Sequence, residues 1–171
     1  MEQQIRGFLK DQFGDAIIGE DNFRGQQIFE IKQDMLIDIC QALLDESEMD
    51  AKYLADITAV DWLGHDSEKN GRYEVVYNIY SLSRRHRFFL RVRLAADDPA
   101  ISTLCDLWPS ANWLEREIYD LFGITFTGHP ELSKILTPDD LEGHPLRKDY
   151  PLTYEQPQFN WNKNKPPVVK K

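Results

Sequence analysis

The chain has 171 residues, enough for one domain with a sizeable core and too few for two of ordinary size. Its apolar content of 42% and charged content of 29% are those of a globular protein rather than a disordered or fibrous one. A formal net charge of -9 argues against nucleic acid as the main partner, because neutralising phosphate needs a cationic face.

Residues 2–13 place Ile5, Phe8, Leu9 and Phe13 at helical spacing, which predicts a short amphipathic helix. Gly14, Gly19 and Gly25 punctuate two apolar runs, Ala16-Ile17-Ile18 and Ile28-Phe29-Glu30-Ile31, which predict paired strands. Met35, Leu36, Ile39, Cys40, Leu43 and Leu44 form one stripe of a helix over 34–46. Residues 52–61 are extended in character. Residues 72–80 and 85–94 alternate with period two, which predicts antiparallel strands with one face on a core. Phe88, Leu90, Val92 and Leu94 share that face. Arg85, Arg87, Arg91 and Arg93 share the other, either as a solvated face or as a contact surface for an acidic partner. Asp98 followed by Pro99 predicts a helix burying Ile101, Leu104 and Cys105. A further helix runs from about Asn112 to Phe122, with Gly123 as its stop.

From Ile124 onward periodicity fades and seven prolines punctuate an extended segment, so this part is expected to lie along another surface. The fold class that follows is α+β: a mostly antiparallel sheet with helices packed on one face, then a long extended C-terminal segment. Two parts are expected, an α+β domain over 1–123 and a partner-binding segment and tail over 124–171.

Charge is unevenly placed. Residues 1–66 hold 15 acidic and 5 basic groups, whereas residues 67–95 hold 2 and 7 and residues 151–171 hold 1 and 4. Such asymmetry suits docking against charged neighbours, although charge blocks are more often simply solvated. No N-terminal basic region leads into an apolar stretch, and no apolar run reaches bilayer length. Cys40 and Cys105 stand far apart, and His65, His86, His129 and His144 show no ligand spacing, so no metal or cluster site is expected. Glu117 and Asp120 are neighbours at i, i+3, and Arg116 and Asp120 at i, i+4. An ion-paired helix face, a helix presented to a partner and a catalytic dyad are the readings of that run, in falling order.

Three blocks in order carry a resemblance. They are Glu115-Arg116-Glu117-Ile118-Tyr119-Asp120-Leu121-Phe122-Gly123-Ile124, then His129-Pro130-Glu131-Leu132-Ser133-Lys134-Ile135-Leu136, then Pro145-Leu146-Arg147-Lys148-Asp149-Tyr150-Pro151-Leu152. Together they resemble the signature of the thirty-kilodalton subunit family of respiratory complex I, the C subunit of NADH-quinone oxidoreductase. Lys134 stands where that family often has arginine.

The resemblance implies a cofactor-free peripheral-arm subunit of a proton-translocating NADH:quinone oxidoreductase, non-catalytic by itself. NAD, FMN, iron–sulfur clusters and quinone would be bound by other subunits. The implied partners are the hydrogenase-large-subunit-like subunit of the quinone site and its cluster-bearing neighbour, with the membrane reached only indirectly from the cytoplasmic side of the inner membrane. The residues expected at the partner interface are Glu115, Arg116, Glu117, Asp120, His129, Lys134, Arg147, Lys148, Asp149 and Tyr150. The alternatives are the equivalent subunit of a ferredoxin-fed or hydrogenase-related membrane complex, and a free-standing acidic binding module.

Overall fold

The computed structural model describes residues 2–152. Helix α1 (Glu2–Phe13) leads through a 3-10 turn into the hairpin β1 (Ile17–Phe23) and β2 (Gln26–Ile31). Arg24 and Gly25, at φ 53° and 79°, make a two-residue turn whose left-handed conformation matches strand twist. Helix α2 (Leu36–Asp45) follows, then β3 (Tyr53–Asp61), β4 (Tyr73–Ser81) and β5 (His86–Leu94). Short β6 (Ala100–Ser102), helix α3 (Ala111–Phe122) and β7 (Thr125–Thr127) complete the described elements.

The main sheet has the order β1-β2-β5-β4-β3. Its pairs are antiparallel except β2 with β5, which run parallel because α2, β3 and β4 intervene. Period-two alternation places Tyr73, Val75, Tyr77 and Ile79 of β4 beside Phe88, Leu90 and Val92 of β5, all without solvent exposure. Ile5 and Leu9 of α1, Leu36, Ile39, Cys40 and Leu43 of α2, and Ala111 and Ile118 of α3 join that same core. The three helices therefore cover one face of the sheet, as the helical stripes require. None of the described helices is long and apolar enough to cross a membrane.

One expected element is different. The segment after Pro99 is strand β6, not a helix, and it pairs in parallel with β7. Thr125 N–H donates to Pro99 O and Thr103 N–H to Thr127 O, which lengthens the ladder at both ends. The run Ile101-Ser102-Thr103 resists helix through side-chain crowding and favours extended backbone. Ile101 and Phe126 are buried as a register pair. Cys105 accordingly lies in the turn after β6 rather than on a helix, and is only part-buried. The boundary expected after residue 123 falls beside Ile124 and Phe126, which belong to the core. The tail from 153 to 171 lies outside the described residues.

Candidate functional site

The densest polar constellation surrounds α3. Its buried stripe of Ala111, Glu115, Ile118 and Phe122 faces the sheet. Its next face is covered by residues 129–150, a strap with no regular structure that runs along the helix toward its C-terminus. Gly123 ends α3 at φ 70°, a conformation that suits glycine. A Cβ there would also collide with the His144 ring and the Arg147 guanidinium, so the strap can close over the helix end only if this position is bare.

The strap is held by polar groups rather than by an apolar stripe. Arg116 donates to Ser133 O at 3.1 Å and Ser133 Oγ at 2.9 Å, and lies over the Trp113 ring. Asp120, fully buried, accepts the backbone N–H groups of Ile135, Leu136 and Thr137 at 3.1, 2.8 and 2.9 Å, and the Thr137 hydroxyl. Burial pushes the Asp120 carboxyl up, but these four donors outweigh it and hold it below the usual carboxylate range. Arg116 and Asp120 thus serve the strap instead of pairing at i, i+4. Further along, a His144 ring nitrogen meets Asp120 O at 2.9 Å, Leu146 N–H donates to Leu121 O, and Arg147 donates to Phe122 O. Orphan carbonyls at the helix end are satisfied in this way by donors of the strap. Lys134 Nζ donates to Leu141 O at 2.7 Å, inside the strap itself.

The end of the strap is locked to the sheet by an ion-pair chain. Asp61, at the end of β3, accepts from Arg72 Nε and Nη2 at 3.0 and 2.9 Å and from Lys148 N–H at 2.9 Å. Arg72 also contacts Asp149 at 2.9 Å, and Lys148 Nζ reaches Leu63 O at 3.2 Å. Burial raises the Asp61 carboxyl, yet Arg72 and the Lys148 and Leu63 amides bring it down to about 2. Arg72 in turn is held above its ordinary value by Asp61 first and Asp149 second. Tyr150 N–H closes the last turn on Arg147 O.

At the other end of α3, Glu115 is wholly buried and accepts Leu104 N–H at 2.7 Å and the Thr103 hydroxyl. Burial pushes its carboxyl up despite these donors. Cys105, Glu115 and His129 bring one ligand atom each within 4.8 Å, a grouping the sequence spacing does not reveal. Their hydrogen bonds test the metal reading. His129 Nδ1 accepts Glu131 N–H at 3.0 Å, which places the ring proton on Nε2, 3.1 Å from Asn112 O. Burial also raises the Cys105 thiol, away from the thiolate a metal needs. The three side chains are engaged as a hydrogen-bonded knot that ties β6 and β7 to α3.

Of the residues expected at an interface, Glu115 and Asp120 are buried within the chain. Arg116, His129, Lys134, Arg147, Lys148, Asp149 and Tyr150 bind strap, helix and sheet together, whereas Glu117 is exposed. Sequence reasoning missed Asp61, Arg72, Thr103, Ser133, Thr137 and His144. Asp61 and Lys148 meet across 87 positions, which no local window reports. The signal for this lock in the sequence is its far half, the Arg147-Lys148-Asp149 block; nothing local marks Asp61 and Arg72 as its partners.

Residues 29–156 match the family model described as "Respiratory-chain NADH dehydrogenase, 30 Kd subunit". The chain belongs to that family. It is 42% identical over 157 residues to the NADH-quinone oxidoreductase C subunit of Roseiflexus castenholzii, covering 92% of this chain and 88% of that protein. It is 55% identical over 109 residues to NADH-quinone oxidoreductase subunit 5 of Thermus thermophilus, covering 61% and 53%. Among solved structures, a trypsin-resistant fragment (1-134) of Nqo5 superposes with a TM-score of 0.65 at 32% identity, over 75% of this chain and 99% of the fragment. A chain of an archaeal membrane-bound sulfane sulfur reductase shares the fold, with a TM-score of 0.75 at 22% identity over 99% and 94%.

Proposed function

We propose that this family member is a non-catalytic scaffold subunit in the peripheral arm of a proton-translocating NADH:quinone oxidoreductase. In this reading, NAD, FMN, iron–sulfur clusters and quinone are bound by other subunits. The strap with α3 is the face that meets the quinone-site subunit, related to hydrogenase large subunits, and its cluster-bearing neighbour. The peripheral arm with this chain lies on the cytoplasmic side of the inner membrane, which the chain reaches only through its partners.

One observation carries the reading. The strap turns the groups that bind α3 inward and leaves Leu136 and Leu146 at 61% and 52% exposure, on a helix whose Trp113 is 63% exposed. Leu136 is held at Asp120 and Leu146 at Leu121, so these side chains lie within about 12 Å of helix axis from Trp113. Apolar side chains facing out from a polar-anchored segment are the arrangement of an interface rather than of a free surface. The non-catalytic reading is supported by the engagement of the site's titratable groups in structural hydrogen bonds.

The test uses membranes carrying Trp113→Ser or Glu117→Ala. Both positions are exposed, so the free chain keeps its stability to within about 0.5 kcal/mol. The amount of assembled complex falls several-fold for Trp113→Ser and less for Glu117→Ala. NADH:quinone turnover per assembled complex is unchanged. Full assembly with a large loss of turnover overturns the scaffold reading.

A further inference from the structure

Strand β5 carries Arg87, Arg91 and Arg93 on the face of the sheet turned away from the three helices, whose buried residues all join the core on the other side. Arg85 lies in the preceding turn, at φ 51°, and takes no part in this row. Alternate residues on a strand are about 7 Å apart, so the three guanidinium groups spread over about 20 Å. Between and beside them in register lie Phe89, Ile28 of β2, and Val76, Asn78 and Tyr80 of β4. Phe23 and Tyr53 stand at the two edge strands on the same side, 58% and 50% exposed. A mixture of aromatic residues, arginine and aliphatics is the composition of an interface core.

The three arginines are differently placed. Arg93 is paired with Glu74 at 2.8 Å and lies over the Trp62 ring, so its charge is met within the chain. Arg87 is exposed and lies over Tyr80. Arg91 is half-buried and makes no ion pair among the described residues, although Glu30 is its register neighbour on β2. Its Nε is shielded from solvent and has no acceptor. The Arg91 charge acts on Glu74 of the same face, yet no carboxylate comes into ion-pair contact with it, and a guanidinium that has lost part of its hydration without a bonded acceptor at Nε is an unfavourable arrangement in an isolated chain. It becomes favourable when an incoming surface supplies the acceptor, and the planar fork of arginine suits a carboxylate.

We propose that this second face of the sheet, centred on Arg91 and extended by Arg87, docks a carboxylate-bearing surface of another polypeptide of the complex. The inference rests on the subunit reading above but concerns the face of the sheet opposite the helices, separate from the strap. Charge complementarity selects the occupant. Arg87 and Arg91 bring two positive charges that no ion pair among the described residues takes up, and the apolar residues around them supply the area that excludes water.

The experiment uses Arg91→Lys and purifies the complex from membranes through a tag on this chain. A water-soluble carbodiimide then couples the amine introduced at position 91 to any carboxylate in contact. An amide forms, and the water lost is taken up as the urea. The expected product, read by mass spectrometry, joins position 91 to an Asp or Glu of a different polypeptide. Arg87→Lys, at the exposed end of the row where folding is not at stake, gives a second such bridge. If the chain is assembled but the amines at positions 91 and 87 couple only to residues of their own chain, such as Glu30 or Glu74, the docking inference is overturned and the subunit reading stands. If the unsubstituted chain, tagged in the same way, elutes without other subunits, both are overturned.

Discussion

The sheet body and the strap are stabilised by different physics. In the body, β4 and β5 place seven side chains from Tyr73 to Val92 in a water-free core, and their order comes from burial. At the strap, the anchoring contacts run through the buried Asp120 carboxylate of α3 and the part-buried Arg147 guanidinium, and Leu136 and Leu146 face out while Leu132 packs against the core. Burial is nondirectional and tolerates small shifts, whereas Asp120 accepting three successive amides fixes position and direction together. A segment that must present a defined outer surface is better served by the second kind of contact. The contrast is testable, because the two regions should fail in different ways.

The largest effect is expected from Phe88→Ala. Its ring is fully buried at the centre of the sheet, so its loss costs about 3–5 kcal/mol in transfer and cavity terms. The strap rests on β3, β4 and α3, so both regions should melt together in one transition. Circular dichroism and strap-specific hydrogen exchange should give coincident midpoints. A strap that survives melting of the sheet would break the dependence.

Asp120→Ala comes next and should separate the regions. It removes the acceptor of Ile135, Leu136 and Thr137 N–H and of the Thr137 hydroxyl, at a cost of roughly 2–3 kcal/mol. Water can reach the opened strap, which keeps the cost below the sum of its bonds. Amide exchange at 135–137 should accelerate by about 30-fold or more, while β4 and β5 amides keep their protection. Equal acceleration in both would mean that strap and sheet are one cooperative unit.

The same contrast explains what is legible in the sequence. The alternation of 72–80 and 85–94 reports the core directly, because burial follows the pleat. Gly123 marks the end of α3 for a backbone reason that acts locally. Strand β6 departs from expectation because Asp98-Pro99 is a sound helix start, while the strand's true partner, Thr125–Thr127, lies a whole helix away in sequence. The Arg116–Asp120 spacing suggests a helix-surface pair, which contributes only about 0.3–0.5 kcal/mol when exposed. Four converging donors from the strap outcompete it. The three sequence blocks mark the region as special, yet two of their contacts, Arg72 to Asp149 and Lys148 to Asp61, run through residues outside those blocks.

Acid should distinguish the regions most finely. The tyrosines and the cysteine of the apolar core are pushed up by burial and do not titrate in acid, whereas Asp61, Asp120 and Asp149 are all held below their ordinary values. For Asp61 the difference from 3.8 to about 2 corresponds to about 2 kcal/mol. Because the folded-state value is the lower one, this stability is complete above pH of about 4 and is lost as pH falls toward 2. Asp149 is half exposed and salt-screened, so it adds little. Glu115 has the opposite sign: burial raises its carboxyl, so the penalty for its charge is present at neutral pH and is relieved by acid. Glu20, below its usual range through Lys10 and Arg6, joins α1 to β1 at the surface and contributes little to the sheet. Between pH of about 4 and about 2, exchange at Lys148 and at 135–137 should therefore rise before that of β4 and β5, and the Glu115 knot at the start of α3 should outlast the Asp61 lock. Hydrogen exchange followed by mass spectrometry across this range reads the order. Loss of the sheet first, or of the Glu115 knot before the Asp61 lock, would mean that the strap is not held mainly by ionised carboxylates.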